Sequence, residues 1–207
     1  MPITIVPPAE LRGLAATLRA LVALTLKHEG RRTGEIGVKL TDDAELREVN
    51  RRWRGMDRAT DVISFAYDED EPDAARRPVG GDLVISMDRV REQAARYRQS
   101  PGEELARLVI HGTLHLGGHD HVRPGERGRM REREDAILAL ARTLVKRLDA
   151  AMPRAAAKAP AKAKAPAKAK APGPAARVAR KPARTGATRP ARPARKAASA
   201  RARRGTR

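Results

Sequence analysis

The stretch SPGEELARLVIHGTLHLGGHDH, residues 100–121, contains one complete helix with both ends marked, and the rest of the chain can be placed around it. Ser100 is suited to cap this helix, Pro101 to occupy its first position, and Glu103 to complete a capping box. Apolar side chains then recur every three or four residues along one face. The pair Gly117–Gly118 ends the helix, because glycine accepts the left-handed backbone that a helix C-terminus favours.

Four of the five histidines of the chain lie within residues 111–121. His111 and His115 are four residues apart, so both project from one face of the helix. The glycine break lets the chain turn back and present His121. Three neutral imidazoles around one point leave a coordination position open, which is typical of a catalytic rather than a structural zinc site. We therefore predict one Zn²⁺ held by these three histidines, where hydroxide is available near neutral pH.

Other interpretations of this segment remain open. A helical histidine is more often a surface or hydrogen-bonded core residue, and a pair at this spacing also arises by chance. Imidazole ligands accept nickel, cobalt or copper as well, so another divalent transition metal is the alternative to zinc. His119 stays outside the predicted ligand set, as a supporting, substrate-facing or merely exposed residue. Asp120 could hold an imidazole N–H and fix its tautomer, or only shape the turn.

The ligand spacing H-x-x-x-H-x-x-G-x-x-H matches that of a class of zinc proteases, with Gly118 at the turn. Those enzymes carry a glutamate general base directly after the first histidine. Gly112 occupies that position here, and peptide hydrolysis without the carboxylate would be poorly served. The sequence therefore combines zincin-like ligands with a chemistry other than peptide cleavage, and a zinc protease remains the weaker alternative.

Around this helix, hydrophobic periodicity and turn signals predict four strands and four further helices without strict βαβ alternation. We therefore predict an α+β fold. The strands cover residues 3–6, 34–40, 61–67 and 81–87, and the helices cover about residues 9–27, 41–52, 87–98 and 126–148. The predicted buried stripes are Leu11, Leu14, Leu18, Leu21 and Val22 in the first helix, and Ile137, Leu140, Ala141, Leu144 and Leu148 in the last.

The positive charge is concentrated at one end of the chain. The formal net charge is +19, yet residues 1–150 hold 26 basic and 25 acidic side chains, whereas residues 151–207 hold 18 basic side chains and no acidic ones. A domain of about 150 residues can bury a core. The second segment is a Lys/Ala/Pro-rich tail with few large apolar side chains, and we expect it to be disordered. It acts either as a spacer or as an arm that binds nucleic acid without sequence specificity.

The composition also restricts the compartment and the kind of site. The chain contains no cysteine, which excludes disulfides and thiolate metal ligands. The most apolar N-terminal segment is interrupted by Arg19 and follows no basic region, so it does not resemble an export signal, and its apolar runs are too short to span a bilayer. We expect a cytoplasmic protein that does not bind membranes.

A second candidate functional group lies in NRRWRGMDRATDVISF, residues 50–65, where a loop leads into a strand. The guanidinium of Arg54 offers a fixed fork of donors that matches phosphate oxygens. Across a cleft from a metal, it would bind a scissile phosphate and stabilise the charge of the transition state. On this segment alone, an exposed loop arginine paired with Asp57 is the simpler interpretation.

Three blocks of sequence resemble one known family. HGTLHLGGHDH is similar to the H-G-x-L-H-L-x-G-x-D-H signature of the YbeY family, the metal-dependent endoribonucleases of ribosomal RNA maturation. Residues 50–65 resemble the family segment N-x-x-x-R-G-x-D-x-x-T-D-V-L-S-F, and residues 81–86 resemble its G-D-I-V-I-S strand. The blocks occur in the family's order, and the resemblance covers about residues 1–150.

The resemblance implies a site, a fold and a role. By position, it implies that His111, His115 and His121 hold the metal and that Arg54 is the functionally important arginine. It implies a mixed four-stranded sheet with the ligand helix packed against it. The implied role is processing of the 3′ end of 16S ribosomal RNA and quality control of ribosomes. The basic tail is not part of the family's common core.

We therefore expect a single-strand-specific, metal-dependent endoribonuclease whose partners are ribosomal RNA and the small ribosomal subunit. Cleavage would follow either attack by hydroxide on phosphorus or attack by the ribose 2′-hydroxyl, with Arg54 on the non-bridging oxygens. The alternatives are a zinc metalloprotease and a non-catalytic RNA-binding factor of ribosome assembly.

Overall fold

The computed structural model of the chain describes residues 3–67, 77–120 and 125–152. These residues form four strands and six α-helices, in the order β1 (Ile3–Val6), a 3₁₀ helix (Ala9–Leu14), α1 (Ala15–His28), β2 (Thr33–Thr41), α2 (Asp43–Arg54), β3 (Val62–Ala66), β4 (Val79–Ser86), α3 (Met87–Tyr97), α4 (Pro101–Leu116), α5 (Glu126–Leu140) and α6 (Arg142–Ala151). His121 and the basic tail beyond residue 152 lie outside the described residues, so the predictions made for them stay predictions.

The four strands form one mixed sheet in the order β1-β2-β4-β3. Strands β1, β2 and β4 are parallel, whereas β3 pairs antiparallel with β4 and forms one edge. This arrangement confirms the predicted α+β class and the mixed four-stranded sheet. All four predicted strands are present, with ends that differ by one or two residues.

The two faces of the sheet are covered by different helices, because alternate side chains of a strand point to opposite faces. Ile36 of β2 and Leu83 of β4 belong to the larger core, which they share with α1 and α4. Helices α5 and α6 pack in turn on α4. On the opposite face, Ile63 and Val84 pack with Leu46 of α2 in a smaller cluster. Helix α4 therefore lies on one side of the sheet and α2 on the other.

Helix α4 begins at the predicted position with the predicted Ser100 cap, and the reciprocal bond from the Glu103 side chain is not among the contacts of the described residues. The Ser100 hydroxyl accepts a hydrogen bond from the backbone N–H of Glu103 at 3.1 Å, and Pro101 occupies the first turn. The structure adds an anchor that local sequence does not reveal. The Asp149 carboxylate of α6 accepts hydrogen bonds from the Ser100 hydroxyl and from the N–H of Gly102, both at 2.7 Å. The start of α4 is thus tied to the last helix of the domain.

The N-terminal helix is confirmed as a buried amphipathic element, but its first turns are a 3₁₀ helix. The predicted stripe, which consists of Leu11, Leu14, Leu18, Leu21 and Val22, is fully buried. The tighter start follows Pro8, whose carbonyl accepts from the N–H of Leu11 at 2.9 Å. Tight turns of this kind are frequent where helices begin.

The prediction of a single last helix from residue 126 to residue 148 is wrong. The segment forms α5 and α6, separated at Ala141, whose backbone leaves the helical region. Ile137, Ala141 and Leu148 are buried as predicted, but Leu140 is 63% exposed. The interruption lets α6 turn to contact α1 and the 3₁₀ helix as well as α4.

None of the helices in the described part of the chain has the length and apolar character that crossing a membrane requires.

Candidate metal centre

The end of α4 carries the first two predicted ligands into a tightly defined turn. The N–H of Gly118 donates to the carbonyl of His115, and the N–H of His119 donates to the carbonyl of Leu114, both at 3.0 Å. This bond pattern is a Schellman motif, which requires a left-handed residue one position past the helix cap. Gly118 supplies it with φ of 91°, whereas Gly117 keeps a right-handed φ of −72°. Of the two predicted glycines, only Gly118 therefore needs to be glycine for its backbone.

The imidazoles of His111 and His115 converge. Their Nε2 atoms are 3.2 Å apart, and their ring planes are inclined by 78°. Two nitrogen ligands of a tetrahedral zinc, each at about 2.0–2.1 Å, lie about 3.3–3.4 Å from each other. The pair therefore has a spacing that fits two ligands of one cation. The same distance also permits an N–H···N hydrogen bond between the rings.

The third predicted ligand, His121, lies outside the described residues. Within the ranges 3–67, 77–120 and 125–152, no three histidine, cysteine or acidic side chains are grouped as a metal site. A complete three-histidine site thus stays a prediction, of which the structure places two members side by side.

A carboxylate that the sequence analysis missed completes the surroundings of His111. Glu134 of α5 lies 2.6 Å from His111 Nδ1 through Oε1, and its other oxygen is 4.0 Å from the guanidinium of Arg107. A proton on Nδ1 leaves Nε2 as the lone-pair nitrogen that a metal needs. For His111, the carboxylate that holds the imidazole is therefore Glu134.

A signal for Glu134 was present in the sequence. It lies four residues after Met130 and three before Ile137, and both of these side chains are buried. A charged residue within the buried stripe of a helix needs a polar partner. The sequence alone could not identify His111 as that partner, because it lies 23 positions before Glu134 in the chain.

His119 has a definite partner away from the histidine pair. Its Nε2 is 2.8 Å from Oε2 of Glu29, which also accepts from Arg133 at 2.7 Å. Burial raises the pKa of the Glu29 carboxyl, but the hydrogen bond from His28 and the charges of Arg133 and His119 outweigh it, so this pKa lies below its usual value. These contacts join the turn after α1 to the turn after α4, and they support leaving His119 outside the ligand set.

Gly112 faces the sheet rather than the histidine pair. A Cβ atom at this position would lie 2.8 Å from Cδ2 of Leu83 and 3.3 Å from Oγ of Ser64. The Ser64 hydroxyl also donates to the Gly112 carbonyl at 3.4 Å. The position at which a zinc protease carries its general base is therefore packed against β3 and β4, with no space for a glutamate side chain.

Arg54 lies at the C-terminal end of α2, on the face of the sheet opposite to α4. Its Nη1 donates to Oδ1 of the buried Asn50 at 3.3 Å, and Asn50 in turn donates to the carbonyl of Arg58 at 2.7 Å. Asp57 pairs with Arg47 instead, at 2.6 Å. Arg54 is half-buried, and burial together with the nearby charge of Arg58 lowers the pKa of its guanidinium. The simpler interpretation, an exposed arginine paired with Asp57, is wrong.

The sequence of this chain is similar to those of known proteins of one family. A sequence model of the family described as "Endoribonuclease YbeY" matches residues 8–142. An endoribonuclease YbeY of Roseiflexus castenholzii is 51% identical over 110 residues, which cover 50% of this chain and 68% of the relative. One from Exiguobacterium sp. is 46% identical over 57% of this chain and 82% of its own length, and one from Roseiflexus sp. is 43% identical over 66% and 89%.

Proposed function

This chain belongs to the YbeY family of endoribonucleases, and from that premise we propose that it cleaves single-stranded ribosomal RNA in a reaction that depends on one bound divalent metal ion. The observation that carries the proposal is the pair of Nε2 atoms, 3.2 Å apart, of His111 and His115. Two convergent imidazoles at the end of a helix, one of them oriented by a carboxylate, are suited to hold a catalytic cation.

The proposed ligands are His111, His115 and His121, and the proposed metal is zinc, with another divalent transition metal as the alternative. When bound, such a cation supplies electrophilic assistance to a phosphate oxygen and makes a nucleophile available at neutral pH. Glu134, 2.6 Å from His111 Nδ1, would hold a proton on that nitrogen and leave the lone pair of Nε2 available to the cation.

Arg54 is proposed to bind the non-bridging oxygens of the scissile phosphate. Its guanidinium is held by Asn50, and Asp57 is occupied by Arg47. A half-buried guanidinium without a carboxylate partner in the described part of the chain retains its full attraction for phosphate.

The nucleophile can be identified from the products. Attack by the ribose 2′-hydroxyl leaves a 2′,3′-cyclic phosphate, whereas attack by water leaves a linear phosphate end. End-group analysis of the cleaved RNA distinguishes the two routes. The leaving oxygen requires a proton in either case.

The finer role follows from the family resemblance. We propose that the substrate is the 3′ end of 16S ribosomal RNA, in the context of the small ribosomal subunit and of ribosome quality control, and hence that the protein acts in the cytoplasm. We also propose that the domain of residues 1–150 carries the catalytic site. The basic tail would be an auxiliary arm that concentrates the enzyme on RNA.

The decisive experiment combines metal analysis with RNA cleavage for wild type, His115→Ala and Arg54→Ala. We expect His115→Ala to lose both the metal and the cleavage, and Arg54→Ala to keep the metal and lose cleavage. Arg51→Ala is the matched control, because Arg51 lies on the same helix but is exposed and paired with Glu48.

Two results would contradict the proposal. One is cleavage that persists in the metal-free His115→Ala protein, which would place the reaction elsewhere. The other is loss of the fold, seen by circular dichroism, when the metal is removed from wild type. A structural site unfolds on metal removal, and that result would favour a non-catalytic RNA-binding factor of ribosome assembly.

A further inference from the structure

Aromatic side chains are rare in this chain, and three of the four lie on one face of the sheet. The chain contains one Trp, one Phe and two Tyr. Phe65 follows Ile63 on the face that α2 covers, and the ring of Trp53 from α2 meets the Phe65 ring edge-on at a centroid distance of 6.1 Å. Tyr67 continues the same alternation. Trp53 is 41% exposed and Tyr67 is 52% exposed, so a large part of each residue remains accessible to solvent.

The charges around the rings are asymmetric. At one end, the guanidinium carbon of Arg52 lies 5.6 Å from the centroid of the Trp53 ring. Arg54 follows Trp53 in the chain, and the charge of Arg58 lies near Arg54. None of these three arginines pairs with a carboxylate in the described ranges. At the other end, the Tyr67 hydroxyl donates to Asp82 at 2.8 Å. The positive end therefore includes Trp53, and the negative end includes Tyr67.

We call the positive end the aromatic–arginine surface and define it by Trp53, Phe65, Arg52, Arg54 and Arg58. Two further arginines of α2 do not contribute net charge, because Arg47 pairs with Asp57 and Arg51 with Glu48. A partly exposed indole beside guanidinium groups is the combination with which proteins bind single-stranded nucleic acid, since bases stack on rings while arginines contact phosphates.

The aromatic–arginine surface and the histidine pair lie on two sides of a single edge strand. Phe65 and Ser64 are consecutive in β3, and Ser64 donates to the carbonyl of Gly112, the neighbour of His111 in α4. Because β3 is the outer strand of the described sheet, no other strand of that sheet lies beyond it on this side.

We propose that Trp53 is a base-stacking site for a nucleotide of the single-stranded RNA substrate, close to the phosphate that Arg54 is proposed to bind, with Arg52 and Arg58 on the flanking phosphates. This inference rests on the proposed function and assigns its substrate-binding surface. The indole of Trp53 would contact a base, whereas the bond that breaks lies in the RNA backbone. Trp53 therefore contributes to binding and not to the chemical step.

Trp53 provides its own reporter, because it is the single tryptophan of the chain. The full-length protein is titrated with a 2′-O-methyl oligonucleotide, which binds without being cleaved by 2′-hydroxyl attack, and with an abasic strand of equal length and charge. Anisotropy of a labelled strand records binding. We expect saturable quenching of tryptophan fluorescence with the base-bearing strand and none with the abasic strand. Bound RNA that leaves the fluorescence unchanged, or equal quenching by both strands, would overturn the stacking site.

Kinetics provide a second measurement with a matched control. Trp53→Ala should raise KM about five- to a hundredfold with kcat unchanged, and Trp53→Phe should restore most of the binding. Tyr97→Ala is the control, because Tyr97 is 55% exposed and has Arg96 at 5.5 Å from its ring but lies on α3. An equal effect of both alanine variants, or a fall in kcat alone for Trp53→Ala, would contradict the proposal.

The failure of this inference can be told apart from failure of the proposed function. A protein that quenches with RNA but never cleaves it retains the stacking site and loses the endoribonuclease assignment. A protein that cleaves normally without quenching retains the assignment and loses the stacking site.

Discussion

The carboxylate of Glu134 lies 2.6 Å from Nδ1 of His111, although 23 residues of chain separate them and they belong to different helices. A proton on Nδ1, donated to this carboxylate, would leave Nε2 as the nitrogen with a free lone pair. The contact also explains why a charged side chain occurs in the buried stripe of α5. The hydration that the Glu134 carboxylate loses there is replaced by its contacts with the His111 imidazole and with the charge of Arg107.

Removing this carboxylate should weaken metal binding without unfolding the protein. We expect Glu134→Ala to lower the affinity for Zn²⁺ about 10- to 100-fold, because an unsupported imidazole loses its fixed tautomer and orientation. Competition with a coloured zinc chelator measures the affinity directly. Asp135→Ala is the control, since Asp135 is the exposed neighbour that pairs with Arg107 at 3.2 Å. Equal affinities for wild type and Glu134→Ala would show that the contact does not support a ligand.

Close packing at Gly112 should make even a methyl group costly there. The added Cβ would lie 2.8 Å from the fully buried Leu83. We expect Gly112→Ala to lower the free energy of unfolding by about 1–2 kcal/mol in urea titrations, since overpacking exceeds the gain in helix propensity. At Gly128 of α5 nothing lies within 4 Å of an added Cβ, so Gly128→Ala should stabilise the protein by up to about 1 kcal/mol. A stabilised Gly112→Ala protein would mean that α4 can move away from the sheet.

The buried Glu104 should make stability depend on pH. Glu104 is only 2% exposed. Burial is the main cause that raises the pKa of its carboxyl from 4.5 to about 7. The charge of Asp61 adds to this shift, whereas the charge of Arg107 and a hydrogen bond from Gln99 oppose it. Between these two pH values the unfolded chain releases the proton first. The free energy of unfolding therefore falls as the pH rises from about 4.5 to about 7, and it stays lower above that range.

The Glu104→Gln variant should lack this pH dependence. We expect wild type to lose on the order of 3 kcal/mol at most between pH 4.5 and pH 8 relative to the variant. Urea unfolding at four or five pH values measures the difference. Glu132→Gln, at an exposed position of α5, is the control and should follow wild type. Parallel stability curves for wild type and Glu104→Gln would indicate that the carboxyl titrates normally.

Shortening the chain tests the role of the basic tail. Helix α6 continues to Ala151, and Met152 packs against the core, so the cut belongs after Met152. The removed residues 153–207 contain all 18 basic side chains of the tail. We expect weaker RNA binding at low salt and a flatter dependence of log K on log salt, because fewer counterions are released.

A graded variant strengthens the tail experiment. A tail of full length with half of its Lys and Arg changed to Gln should give an intermediate salt dependence. The truncated protein should keep the cooperative thermal unfolding transition of the full chain. If it binds RNA as tightly as the full chain at every salt concentration, the tail has no part in binding.

The amino-acid sequence by itself determined the four strands and both ends of α4. Apolar periodicity located the four strands and the helices, and short polar side chains marked the starts of α2 and α4, where Asp42 and Ser100 accept backbone hydrogen bonds. The left-handed turn at Gly118 was equally predictable. Helix caps and turns of this kind depend on contacts between residues within about four positions of each other. The residues involved can therefore be recognised from a short stretch of sequence.

Tertiary structure alone decided which distant groups meet. It interrupted the last helix at Ala141 and exposed Leu140, because α6 packs on α1 as well as on α4. It placed the carboxylate of Glu134 next to His111, and it paired Asp57 with Arg47 rather than with Arg54. Partners 10 to 49 residues apart are selected by how helices pack on the sheet, and a local pattern specifies that a polar group needs a partner without specifying which one.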